Sequence, residues 1–94
     1  MSLFSKLFGS EPKADFKEMV HQGAVIIDVR TPGEFASGHI KGSINIPLDT
    51  IQQNVKDIRK MNKPIITCCK SGGRSGMAKS MLGTHGLEVH NRSE

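Results

Sequence analysis

Aromatic residues are scarce, since the chain has no tryptophan and no tyrosine, and the last of its four phenylalanines is Phe35. Residues 36–94 therefore offer no aromatic side chain that could stack on a base. Basic residues outnumber acidic ones: the formal net charge is +4, and residues 56–79 carry seven lysines and arginines but only one acidic residue, Asp57. Proteins that bind single-stranded nucleic acid combine such charge with aromatic stacking. We therefore expect no nucleic-acid partner, and a small anion or an acidic protein fits the basic region better.

Long apolar runs are also missing. No stretch approaches the roughly 18 apolar residues of a membrane-spanning helix, and the first residues lack the apolar core and cleavage site of a secretory signal. We therefore expect a soluble cytoplasmic protein without stable membrane insertion. Four residues, Leu3, Phe4, Leu7 and Phe8, would line one side of two helical turns. This spacing predicts a terminal helix or a segment that docks weakly to a partner or membrane surface.

Cysteine is limited to two adjacent residues, Cys68 and Cys69. Disulfide frameworks and paired-cysteine zinc sites need spaced cysteines, so both are excluded and no metal site is expected. The two thiols are therefore of interest for their own reactivity. Because adjacent residues in a strand point to opposite sides, we expect Cys68 to be a small buried core residue rather than a resolving thiol for Cys69.

The 94 residues are enough for one domain. We divide the chain into an N-terminal segment, residues 1–12, and a domain, residues 13–94. Within the domain, runs typical of buried strands alternate with helical patterns; the strands are predicted at residues 24–29, 44–46, 64–68 and 87–89. This alternation predicts an α/β fold with a parallel central sheet and helices on both faces.

Capping residues and apolar spacing predict the helices between these strands. Asp15 and Glu18 have the spacing of a capping box, and Thr31, Pro32 and Glu34 form a complete helix start. The inward faces are predicted to be Phe16, Met19 and Val20 in the first helix, Ile51, Val55 and Ile58 in a later one, and Met77, Ala78, Met81 and Leu82 in the last, which Gly86 would stop.

The loop after the third predicted strand lies where α/β sheets bind their ligands. Gly72 and Gly73 let successive backbone N–H groups turn toward one centre, and the following helix N-terminus adds partial positive charge. Lys70 and Arg74 add full charges. A thiol in this field has a lowered pKa, because the field stabilises the thiolate. The loop therefore predicts an anion site with a cysteine nucleophile, formed by Cys69, Lys70, Ser71, Gly72, Gly73, Arg74 and Ser75.

Two motifs carry a family resemblance. One is the run DVRTPGEFASGHIKGSINIP at residues 28–47, and the other is the loop from Cys69 to Ser75. With the order of strands and helices they cover roughly residues 13–90, and they resemble the rhodanese family of sulfurtransferases. The resemblance implies that Cys69 takes sulfane sulfur from a donor such as thiosulfate, forms a persulfide and passes the sulfur to cyanide or a thiol. It implies that residues 70–75 bind the substrate and that no metal or organic cofactor takes part.

The sequence departs from the pattern of the rhodanese family at one point. Rhodanese domains usually continue beyond the last strand into a short helix bearing an aromatic residue, whereas this chain ends VHNRSE. We therefore expect the final helix of the family to be missing.

Two other functions remain open. Protein-tyrosine phosphatases use a Cys-x5-Arg loop around phosphate, but here only four residues separate Cys69 from Arg74. The smaller ring favours a sulfur atom over a phosphoryl group. A catalytically idle module that binds a partner or carries sulfur for it is the remaining alternative.

Four further side chains are considered beside the loop. Asp28 and Arg30 end the first strand, where they could pair and brace the active loop or face the substrate; we favour the structural role. His39 could form a dyad with the cysteine, but the family resemblance places it in a structural turn. Glu34 is expected to act as a helix cap.

Overall fold

The computed structural model describes residues 15–92. The predictions for residues 1–12, including the terminal helix, lie outside this range. The elements in chain order are α1 (Phe16–His21), β1 (Val25–Asp28), α2 (Pro32–Ala36), β2 (Ile44–Asn45), two 3-10 turns (Leu48–Thr50 and Gln52–Asn54), α3 (Val55–Met61), β3 (Ile65–Cys68), α4 (Gly73–Gly83) and β4 (Val89–Arg92).

The four strands form one sheet in the order β2-β1-β3-β4, and every neighbouring pair is parallel. Asp28 of β1 lies beside Cys68 of β3, which in turn lies beside Arg92 of β4. The carboxyl ends of three strands therefore meet at one edge of the sheet, and this confirms the predicted parallel α/β fold.

Two apolar clusters cover opposite faces of the sheet. Alternating β1 residues separate them, because Ile27 belongs to one cluster and Ile26 to the other. The larger cluster contains residues of α3 and α4, whereas Phe16 and Met19 of α1 pack on the smaller one. Helices therefore lie on both faces, as the β-branched strands predicted.

The predicted helix starts are present. The Asp15 carboxylate accepts from the Glu18 N–H at 3.1 Å, but the Glu18 carboxylate accepts from the Gln22 side chain at 2.8 Å, so only the first half of the capping box predicted for α1 is formed. At α2, Thr31 Oγ1 accepts from the Glu34 N–H at 3.3 Å, and the Glu34 carboxylate accepts from the Thr31 N–H at 2.9 Å. The reciprocal bonds of α2 confirm its capping box.

Two predicted core residues are exposed. Met77 is 58% exposed, because the buried positions of α4 are Ser75, Ala78 and Leu82, whose spacing places Met77 on the other side. Val20 is 40% exposed, since only Phe16 and Met19 of the short α1 reach the sheet. The predictions of inward Met77 and Val20 were wrong.

The ends of the last two elements also differ from prediction. Helix α4 ends at Gly83, and Gly86 lies in the turn beyond it with φ +78°. The last strand begins at Val89 and continues to Arg92, although residues 87–89 were predicted. Polar side chains follow Val89 because β4 is an edge strand with only its Val89 side chain buried.

None of the helices within residues 15–92 has the length and apolar content needed to cross a membrane.

Candidate active site

Cys69 is the first residue after β3, and its side chain is buried in the loop that leads into α4. Its Sγ accepts from the Gly72 N–H at 3.0 Å and from the Ser75 N–H at 3.3 Å. The Ser75 hydroxyl oxygen lies 3.3 Å from the same sulfur and accepts the thiol proton. Once the thiol ionises, this hydroxyl can donate instead. The loop therefore encloses a sulfur atom in hydrogen-bond donors.

Glycine allows the backbone to make this enclosure. Gly72 has φ +91°, a left-handed conformation that side chains disfavour. Its carbonyl accepts from the Gly76 N–H at 2.9 Å, which closes the first turn of α4. The early N–H groups of a helix have no partners within it, and here that of Ser75 points at Cys69 Sγ.

Hydrogen bonds decide the acidity of Cys69. Burial raises the pKa of its thiol, but bonds from the Ser75 side chain and from the N–H groups of Ser75, Gly72 and Ser71 outweigh burial and hold the pKa below its ordinary value. The predicted direction is thus confirmed. The backbone N–H groups that the sequence predicted are among these donors, whereas the charges of Lys70 and Arg74 are not among the largest contributions.

The Arg74 guanidinium forms an ion pair with Glu34 of α2. Its Nη1 and Nη2 lie 2.8 Å and 3.0 Å from the two carboxylate oxygens of Glu34. The hydrogen bond from Arg74, with those from Thr31, lowers the pKa of Glu34 to about 2. Glu34 is therefore both the predicted cap and an ion-pair partner that joins the two sequence motifs. Arg74 also interacts electrostatically with Cys69, as expected of a charge beside the loop.

A cleft of about 620 Å³ opens at the carboxyl edge of the sheet. Its walls are formed by Asp28, Arg30, Gly38, His39, Ile40, Cys68, Cys69, Lys70 and Arg92. The structure thus brings four predicted residues, Cys69, Lys70, Asp28 and Arg30, into one cleft. The other predicted loop residues do not line the cleft: Ser71, Gly72, Gly73, Arg74 and Ser75. Gly72 and Ser75 instead donate backbone hydrogen bonds to the Cys69 sulfur.

Asp28 and Arg30 form the predicted pair. Arg30 Nε donates to Asp28 Oδ1 at 3.0 Å, and Arg30 Nη2 donates to Oδ2 at 2.7 Å. Burial raises the pKa of the Asp28 carboxyl, but the hydrogen bonds and charge of Arg30 bring it below its usual value. Arg30 Nη2 also donates to the Gly38 carbonyl at 2.7 Å. The pair therefore braces the segment after α2 rather than the active loop predicted from the sequence, while Arg30 still faces the cleft.

Cys68 and His39 have the structural surroundings that were predicted. Cys68 belongs to the apolar cluster opposite that of Cys69, and burial, followed by the charge of Asp28, raises the pKa of its thiol to about 11. The His39 ring stacks on Phe35 with 3.6 Å between centroids, and its Nδ1 lies 2.7 Å from the Phe35 carbonyl oxygen. A thiol that is neutral at physiological pH does not compete with Cys69 as a nucleophile.

Sequence reasoning missed the contribution of β4. Arg92 lines the cleft, and the Asn91 side-chain amide donates to the Gly72 carbonyl at 3.3 Å. Thr67 of β3 supports the same loop, because its hydroxyl donates to the Ser75 carbonyl at 2.9 Å. The ending VHNR lacks the apolar alternation typical of a strand, and only its register beside β3 places these residues at the site.

This fold and loop define a parallel α/β domain that holds a hydrogen-bonded cysteine thiol at the carboxyl edge of its sheet. The chain belongs to the rhodanese-like domain family, whose model matches residues 12–92. The resemblance inferred from the two motifs is therefore confirmed.

Named relatives agree with this assignment. The chain is 42% identical over 72 residues to the uncharacterized protein YqhL of Bacillus subtilis, covering 76% of this chain and 56% of YqhL. It is 34% identical over 61 residues to the thiosulfate sulfurtransferase PspE of Escherichia coli, covering 64% of this chain and 59% of PspE. The chain thus spans less than two thirds of either relative. A solved structure of a rhodanese with anions from E. coli superposes with a TM-score of 0.68 at 32% identity, covering 76% of this chain and 86% of that one.

Proposed function

We propose that this domain is a sulfurtransferase that moves sulfane sulfur from a small anionic donor such as thiosulfate to a thiol or cyanide, through a persulfide on Cys69. The observation that carries the proposal is the pair of hydrogen bonds that the Gly72 and Ser75 N–H groups donate to Cys69 Sγ, with the Ser75 hydroxyl 3.3 Å from the same sulfur. These donors stabilise a thiolate in a cleft that also contains Arg30 and Lys70. A relative named thiosulfate sulfurtransferase supports the same reaction class.

The reaction has two displacements at sulfur. In the first, the Cys69 thiolate attacks the outer sulfur of thiosulfate, and the new S–S bond forms as the thiosulfate S–S bond breaks. Sulfite leaves with the electron pair, and Cys69 holds a persulfide. In the second, cyanide or a thiolate attacks the terminal sulfur of the persulfide, and the S–S bond to Cys69 breaks. The Cys69 thiolate is restored, and thiocyanate or a new persulfide leaves.

The cationic side chains of the cleft would attract the donor. Thiosulfate carries two negative charges, and Arg30, Lys70 and Arg92 are the basic residues in the cleft walls. Opposite charge concentrates an anion in a cleft and orients it. Lys70 is exposed and is therefore the residue whose replacement disturbs the fold least.

The direct test follows thiocyanate formation from thiosulfate and cyanide. We expect turnover by the wild type and by Cys68→Ser, but none by Cys69→Ser. Lys70→Gln should raise KM for thiosulfate by up to about fivefold, the range of an exposed ion pair, whereas Lys63→Gln, outside the cleft, should not. A wild type without turnover, or an active Cys69→Ser, would overturn the proposal.

The same preparations separate the two alternatives. The loop from Cys69 to Arg74 is one residue shorter than the Cys-x5-Arg loop of tyrosine phosphatases, so we expect no hydrolysis of aryl phosphates. Hydrolysis that disappears in Cys69→Ser would favour a phosphatase. A wild type that retains a partner on a column but never releases thiocyanate would favour an idle binding module.

A further inference from the structure

One face of β3 and β4 changes from apolar to polar beside the cysteine loop. Ile65 of β3 and Val89 of β4 are register partners, and both belong to the larger apolar cluster. Side chains two positions further along a strand lie on the same face, and there the register partners are Thr67 and Asn91. Cys69, two positions beyond Thr67, belongs to the larger cluster again. Two polar side chains therefore interrupt an otherwise apolar face.

Both of these side chains bind backbone carbonyls of the cysteine loop. The Thr67 hydroxyl donates to the Ser75 carbonyl at 2.9 Å, and the Asn91 amide donates to the Gly72 carbonyl at 3.3 Å. Ser75 and Gly72 are also the two residues whose N–H groups donate to Cys69 Sγ. Each of these two donors is therefore tied, through its own carbonyl, to a side chain of the sheet.

The polar pair is unfavourable for stability. Thr67 is fully buried, and Asn91 Oδ1 is buried without a hydrogen-bond partner among the described residues. A buried polar atom without a partner destabilises the folded state. The neighbouring position in α4 is Gly76, where a Cβ would lie 3.4 Å from Asn91 Nδ2, and glycine inside a helix is less stable than alanine. Packing alone therefore does not explain these residues.

We propose that Thr67 and Asn91 are positioning residues, which hold the Ser75 and Gly72 N–H groups on Cys69 Sγ. Their role rests on the proposed function, in which the Cys69 thiolate is the nucleophile. The N–H and the carbonyl of one residue are linked through two rotatable torsions only, so a fixed carbonyl restricts the direction of the N–H. Gly72 needs this restraint most, because glycine has the widest conformational freedom.

Loss of either bond would let a donor turn away from the sulfur. The hydrogen bonds from Ser75 and Gly72 are among those that hold the pKa of Cys69 below its ordinary value. A misaligned donor loses part of its hydrogen bond, and the thiolate then forms at a higher pH. We expect the midpoint of the Cys69 titration to rise by roughly 0.5–1 pH unit.

The test is an ultraviolet titration of the Cys69 thiolate in protein that carries Cys68→Ser. The chain has no tyrosine, so no tyrosinate absorbance overlaps the thiolate signal. Thr67→Val keeps the shape of the side chain but removes the hydroxyl, and we expect it to raise the midpoint. Thr67→Ser keeps the hydroxyl but loses a buried methyl, so it should lower Tm and leave the midpoint unchanged. A merely structural role for Thr67 would not separate the two readouts in this way.

Asn91→Ala tests the second residue, and we expect it to raise the midpoint as Thr67→Val does. Two matched controls remove the same kinds of hydrogen bond elsewhere. Thr50 Oγ1 donates to the Pro47 carbonyl at 2.9 Å, and Asn54 Nδ2 donates to the Thr50 carbonyl at 2.8 Å. Both bonds lie in the 3-10 turns before α3. Thr50→Val and Asn54→Ala should therefore leave the midpoint unchanged.

A displaced midpoint reports the hydrogen bonds, because every variant keeps the charged and titratable groups around the sulfur: Asp28, Arg30, Glu34, His39, Lys70, Arg74 and Arg92. Midpoints that stay unchanged in Thr67→Val and Asn91→Ala, or that move equally in the two controls, would overturn the inference. Thiosulfate turnover by the wild type would then leave the proposed function standing. Displaced midpoints in a protein whose Cys69 never forms a persulfide would contradict the proposed function instead.

Discussion

The hydroxyl of Ser75 offers a way to change the acidity of Cys69 through one atom. The side chain of Ser75 is fully buried, and its Oγ lies 3.3 Å from Cys69 Sγ. Ser75→Ala removes that oxygen while the backbone N–H, also 3.3 Å from the sulfur, remains. Alanine suits the first turn of a helix, so α4 should keep its start.

The size of the effect follows from the strength of one hydrogen bond to a charged group, about 1.5–3 kcal/mol. Because 3.3 Å is long for such a bond, we use the lower end of this energy range. Losing that energy reduces the thiolate fraction roughly tenfold at a pH well below the thiol pKa. The higher pKa also makes the remaining thiolate more nucleophilic. With a Brønsted coefficient of about 0.4–0.5, its reactivity increases about threefold. The variant should therefore react about threefold more slowly than wild type at low pH and about threefold faster at high pH.

The assay is the pH dependence of the reaction with dithiodipyridine, a disulfide that releases a coloured product. Both proteins carry Cys68→Ser, so that only Cys69 can react. Ser71→Ala is the matched control, because Ser71 is exposed and donates to the sulfur through its backbone, which alanine retains. Curves for Ser75→Ala and wild type that fail to cross, or an equal displacement in Ser71→Ala, would refute the reasoning.

Three predictions concern stability. Thr31→Ala loses the oxygen that caps α2, at a cost of about 1 kcal/mol; Tm measured by circular dichroism should fall by roughly 4–8 °C, and an unchanged Tm would contradict the cap. Glu34→Gln should lower Tm above pH 4.5, where a carboxylate with its pKa lowered from 4.5 to about 2 contributes fully to stability. The difference in Tm from wild type should shrink as pH falls toward 2. A difference that stays constant with pH would contradict the ion pair with Arg74. Leu82→Ala empties a fully buried position and should cost about 2–5 kcal/mol in urea unfolding, so a loss below about 1 kcal/mol would contradict tight packing there.

Local signals predicted much of the fold. The β-branched runs of β1 and β3 identified strands covered on both faces, and both strands contribute residues to the two buried clusters. Thr31 and Glu34 form their capping box within four residues, so no tertiary information was needed. The turn of the cysteine loop was also predicted from local sequence, because its two glycines follow a strand, and this turn encloses the Cys69 sulfur.

The features that were missed depend on residues far apart in sequence. Glu34 and Arg74 are separated by 40 positions, and nothing local distinguishes a cap from a cap that also binds arginine. Arg92 lies in an edge strand whose polar residues conceal its strand character, and it reaches the cleft only through its register beside Cys68. Met77 was misassigned because one helical position decides between the core and solvent.

The central claim is that Cys69 carries the transferred sulfur. Intact-protein mass spectrometry after incubation with thiosulfate, without a reducing agent, tests it most directly. We expect a gain of one sulfur atom in the wild type and in Cys68→Ser, no gain in Cys69→Ser, and reversal of the gain by cyanide. Sulfur retained by Cys69→Ser, or located on Cys68 by peptide mapping of the wild type, would show that Cys69 is not the sulfur carrier.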